Sequence, residues 1–96
     1  MNLDEIIKNN KGLLKITPDV IKYAFSKIMK YPIDMNKTWS NNGCDELDII
    51  EILMEIENIL DIRISDHVGE YLFNSSAFPP NFAKYYRDKK LNELGI

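Results

Sequence analysis

The sequence is poor in several features that chemistry or compartment usually requires. It has one cysteine, Cys44, and one histidine, His67. A lone cysteine excludes an internal disulfide and fits a reducing compartment. No stretch approaches the roughly 18 apolar residues that cross a bilayer. The first residues, MNLDEIIKNNKG, carry acids where a secretory leader is basic, with no apolar core behind them. A cytoplasmic location and no membrane partner are therefore expected. A glycine-rich phosphate loop, a zinc-ligand spacing and a Ser–His–Asp order are all missing, so neither a cofactor nor an enzymatic role is expected. Repeats and low-complexity linkers are also lacking. Ninety-six residues of ordinary apolar (45%) and charged (28%) content fit one domain spanning 1–96.

Basic residues are scarce where acids are dense. Residues 45–70 hold nine acids against one arginine, whereas 1–44 hold seven lysines against four acids and 71–96 four basic residues against two acids. The net charge of −3 thus hides an acidic block between basic ends. Such a block repels phosphates, which excludes nucleic acid as the expected partner. It suits a protein with a Lys/Arg surface patch, or else is a solvated face offset by the chain's own lysines.

Helical signals dominate the pattern. Asn2 can cap a helix to about Lys11, with Leu3, Ile6 and Ile7 on one side and Gly12 as its stop. Thr17-Pro18-Asp19 is a strong helix start, with a hydroxyl cap, a proline at the first position and an acid at the positive end. Ile21, Ala24, Phe25, Ile28 and Met29 follow at helical spacing, and Pro32 ends that helix near Tyr31. Residues 32–44 read as a polar loop pinned by Ile33, Met35 and Trp39, with Asn41-Asn42-Gly43 as a turn. A helix from about Asp45 to Leu60 comes next, its first turn rich in acids. Asp61–Ile64 reads as extended. Ser65 or Asp66 can cap a short helix to about Phe73 that turns Val68 and Leu72 inward, and Pro79-Pro80 can open a last one using Phe82, Tyr85, Tyr86 and Leu91. The expected fold is all-α, a small bundle of four to five helices.

The helix over 45–60 is more apolar than one face requires. Ile49, Ile52, Leu53, Ile56, Ile59 and Leu60 make a wide core stripe, while Leu47, Ile50 and Met54 fall on another side among Asp48, Glu51, Glu55 and Glu57. That second stripe is either an acid-ringed protein-binding surface or a helix buried on both sides by its neighbours. Other chemistry carries less. Cys44 precedes a helix start and could pair with His67, but among so many acids it reads as a packing residue beside a glycine turn. Asp45, Glu46 and Asp48 lack the ligand spacing of a dedicated cation site and read as a solvated acidic turn, so no metal is expected. Ser40, Ser65, Ser75 and Ser76 read as turn or cap residues.

The segment from Gly43 to Asp66 resembles acyl carrier proteins. Gly43, Asp45, Leu47, Asp48, Ile50, Glu51, Met54, Ile56, Glu57, Leu60, Asp61, Ile64 and Asp66 match that family's pattern without a gap, over about a quarter of the chain. The family carries its acyl cargo on a phosphopantetheine arm attached to the serine of an Asp-Ser-Leu motif. Here the motif reads Asp45-Glu46-Leu47, and a carboxylate cannot take the arm as a hydroxyl does. The chain looks closest to a branch of bacterial carrier-like proteins, without assigned activity, that lack the serine. The resemblance implies an acyl-carrier-like bundle whose helix after the motif is the recognition helix. It places partner contacts at Asp45, Leu47, Asp48, Ile50, Glu51, Met54 and Glu57, with Glu46 beside them at the modified position. Asn58 stands where the family has a further acid, and the Pro-Pro break departs from the family's usual last helix. The function expected is that of a non-acylated, monomeric, carrier-like module that binds a protein bearing a basic patch. The alternatives are a working carrier modified at another serine and a small acidic inhibitor or immunity-type protein.

Overall fold

The computed structural model describes residues 3–82. Among them are four α-helices, α1 (Leu3–Asn9), α2 (Pro18–Met29), α3 (Glu46–Leu60) and α4 (Asp66–Leu72), and two short 3-10 helices, Lys11–Lys15 and Ser40–Asn42. The fold is all-α, as the periodicity predicts. No strand occurs among the described residues, and Asp61–Ile64 is an irregular connection that sends Ile64 into the core.

The helix boundaries follow local chemistry. The Thr17 hydroxyl accepts the Val20 N–H at 3.3 Å, and Pro18 opens α2 where its missing N–H costs nothing. The helix ends at Met29, two residues before the expected Tyr31. Pro32 biases Tyr31 away from helical geometry, and Lys30 takes the left-handed conformation (φ 68°) that closes the last turn. The expected first helix is shorter too, running only Leu3–Asn9. Asn10 turns its side chain back to donate to the Ile6 carbonyl at 3.0 Å, and the chain continues as the 3-10 helix Lys11–Lys15. That turn buries Leu13 and brings Ile16 to full burial, two core residues the periodicity misses.

Helices α2 and α3 form the main packed pair. Ile21, Ala24 and Phe25 meet Ile49, Ile52 and Ile56 in one core, which Trp39, Val68, Leu72 and Phe82 complete. On the outside of this pair the Lys27 ammonium lies 2.7 Å from Glu55 Oε1, and that hydrogen bond and charge raise the Lys27 pKa. Ile59 is a correction. It was expected in the core but is 40% exposed. It lies in the last turn of α3, one residue before the helix ends at Leu60. Ile33 and Met35 are half-buried, and Trp39 is fully buried. Residues 79–82 are not helical, although Pro79, Pro80 and Phe82 are buried. The rest of the expected last helix, with Tyr85, Tyr86 and Leu91, lies outside the described residues, as does the proposed Asn2 cap.

Candidate functional site

The start of α3 is fixed from both sides. Upstream, the buried Asn42 side chain organises the loop: its Nδ2 donates to the carbonyls of Asp34, Lys37 and Thr38, and its Oδ1 accepts the Asp34 N–H at 2.8 Å. The Tyr31 hydroxyl donates to the Asn42 carbonyl at 2.6 Å. Gly43 follows with φ 86°, and a Cβ there would sit 2.7 Å from the Tyr31 oxygen, so only glycine fits this turn. Trp39 ties the same loop to α4. Its Nε1 donates to the Leu72 carbonyl at 3.2 Å, and its ring stacks on Phe73 with centroids 5.5 Å apart. The N–H groups of Trp39 and Ser40 donate to the Ala77 and Ser75 carbonyls. The segments before α3 and after α4 are thus joined.

Asp45 and Asp48 form a reciprocal cap. The Asp48 N–H donates to Asp45 Oδ1 at 2.8 Å, and the Asp45 N–H donates to Asp48 Oδ2 at 3.1 Å. These two predicted contact residues therefore have a structural task of their own. Glu57 has one too, since its half-buried carboxylate accepts the Ile64 N–H at 2.9 Å and holds the 61–65 connection against α3. Glu46 and Glu51 are exposed, and neither has an ion-pair partner among the described residues.

Among the described residues no helix covers the second apolar stripe of α3. Leu47, Ile50 and Met54 are 63%, 52% and 55% exposed. At about 100° per residue they occupy an arc of roughly 60°, with Glu51 just beyond Leu47. The stripe faces outward, so this side of α3 is not buried by a neighbour among the described residues. Of the eight residues singled out from the sequence, Glu46, Leu47, Ile50, Glu51 and Met54 lie together on open surface, Asp45 and Asp48 hold the helix end, and Glu57 turns to the connection.

Beside the stripe runs a groove that sequence reasoning misses. Its floor and walls are Ile49, Ile50 and Leu53 of α3 and Gly69 and Phe73 on the α4 side, with Glu46, Asp66 and Glu70 at its edges. Two adjoining hollows of about 340 and 250 Å³ make it up. Gly69 lets the helices approach, because a Cβ there would meet Leu53 Cδ2 at 3.3 Å. A glycine inside a short predicted helix is the one signal that could have marked this close approach.

Cys44 lies under this helix start, buried, its thiol pushed up to about 11 by burial and then by the carboxylates of Asp48 and Asp45. It stays protonated at neutral pH and is a poor nucleophile. His67 is on the surface.

An acyl carrier protein of Karelsulcia muelleri (strain GWSS) is 44% identical to this chain over 48 residues. The match covers 50% of this chain and 58% of that protein. No family model and no solved structure matches. The chain is thus similar to an acyl carrier protein over half its length, and its all-helical architecture is consistent with a small bundle of that type. No helix among the described residues is long and apolar enough to cross a membrane.

Proposed function

We propose that this protein is a non-acylated, acyl-carrier-like module of the cytoplasm that docks as a monomer, through α3, onto a basic patch of another protein. One observation carries the reading: Leu47, Ile50 and Met54 stand more than half exposed on one face, beside Glu46 and Glu51, which have no ion-pair partner among the described residues, while Lys27 pairs with Glu55. Large apolar side chains ringed by acids supply both the desolvation and the charge complementarity that protein docking uses. The similarity to a carrier protein supports the same surface, since the resemblance places partner contacts on this helix. Glu46 occupies the position of the arm-bearing serine, and its carboxylate has no hydroxyl through which a phosphodiester could form.

The test is affinity capture of the partner from the host lysate by the parent protein and by Glu51→Lys. Glu51 is exposed and has no described ion pair, so the variant folds as the parent does. Capture is expected to weaken about five- to tenfold and to become less salt-sensitive. Equal capture by both proteins means that docking does not use this face. Intact mass after treatment with coenzyme A and a phosphopantetheinyl transferase is expected to stay unchanged, and a modified serine would end the non-acylated reading.

A further inference from the structure

We propose that the groove between α3 and α4 is the anchor site of the docking surface, and that its occupant is a large apolar side chain flanked by lysine or arginine on a partner protein. The inference rests on the docking reading above and names the partner chemistry that the site takes.

Three observations converge. The first is shape. Ile49, Ile50, Leu53 and Phe73 make an apolar trough, and the backbone at Gly69 replaces a side chain that would narrow it. The second is charge. Glu46, Asp66 and Glu70 edge the two hollows, no basic residue lines either, and none of the three acids is ion-paired among the described residues. A free anionic chain would bring its carboxylate against three others, whereas an apolar side chain between cations satisfies floor and rim together. The third is continuity. Ile50 belongs both to the groove and to the exposed stripe with Leu47 and Met54, so one partner surface can cover both. The α4 side of the groove is also held in place, because Trp39 bonds to Leu72 and stacks on Phe73, and the N–H groups of Trp39 and Ser40 bond to the Ala77 and Ser75 carbonyls. A preorganised trough with a single anchor is the geometry in which one side chain supplies most of the binding energy.

The probe is a short amidated Lys/Ala peptide carrying one Phe, titrated into the labelled protein and followed by backbone-amide NMR. A control peptide has Ala in place of Phe, and dodecanoate is the anionic comparison. The Phe peptide is expected to bind about tenfold more tightly than the control, as one anchor side chain provides. Its shifts should centre on Gly69 and Phe73. Glu70→Lys, a change at an exposed position, should weaken it about fivefold. The proposal is overturned by no binding, by equal affinity of the two peptides, by shifts confined to Leu47 and Glu51, or by dodecanoate binding the groove more tightly than the Phe peptide. Failure here with partner capture still sensitive to Glu51→Lys removes the groove and leaves the docking face standing. Success here with capture insensitive to Glu51→Lys does the reverse.

Discussion

At the scale of single residues, Cys44 shows how position overrides type. The thiol sits at a helix start, where the dipole favours a thiolate, yet burial and two neighbouring carboxylates push it from 9.0 to about 11. The folded state therefore keeps a proton that the unfolded chain gives up as pH passes about 9. The unfolded state then binds fewer protons, so this contribution is full below that pH and is lost as pH rises toward 11. The loss across the window is roughly 1–3 kcal/mol. Urea titrations of the parent and Cys44→Ala near neutral and strongly alkaline pH check it. Lysines and tyrosines titrate in both proteins, so the difference isolates the thiol, and the parent should lose more stability than the variant. Equal losses would show that the thiol does not feel its surroundings. Asn42 makes the same point for a polar residue. Sequence marks it as part of a turn, but only its burial among three carbonyls makes it the centre of the loop.

At the scale of elements, α3 carries two duties that can be separated. Its end is held by the Asp45–Asp48 cap, and its outer face is free. Asp45→Ala is expected to cost about 0.5–2 kcal/mol in urea unfolding, the usual worth of an N-cap. Asp45→Asn keeps a capping oxygen and should retain most of that stability while removing a charge. If Asn destabilises as much as Ala, the charge at the helix end matters more than the cap. Much of this element is legible in sequence, because caps, prolines and apolar spacing act over a few residues. Thr17, Ser65 and the acidic first turn of α3 all serve where the pattern puts them. Boundaries shift where a side chain finds a partner the pattern does not contain, as Asn10 does at Ile6.

At the scale of the whole molecule, Trp39 is the joint. It is fully buried, it comes from a loop rather than a helix, and it connects the turn before α3 to the end of α4. Trp39→Ala should cost about 3–5 kcal/mol, a large part of the roughly 5–15 kcal/mol that holds a domain folded. Trp39→Phe keeps the ring against Phe73 and loses the bond to Leu72, and should cost only about 1 kcal/mol for that bond. Thermal unfolding followed by near-ultraviolet circular dichroism compares them. Similar losses for both variants would make the hydrogen bond, not the packing, the main tie.

The sequence by itself determined the helical class, the caps of α2 and α4, the acidic block and the two apolar stripes of α3. All of these are properties of residues close along the chain, whose spacing and charge act locally. Tertiary structure alone decided which stripe is covered. Packing of α2 and α4 against Ile49, Ile52 and Ile56 leaves Leu47, Ile50 and Met54 outside. It also made the groove, because the walls come from residues some twenty positions apart that meet only when Gly69 lets α4 approach Leu53. It fixed Glu57 on the connection rather than on open surface. Burial is a relation between distant segments, and no periodicity within one helix can state which neighbour will arrive or where it will stop.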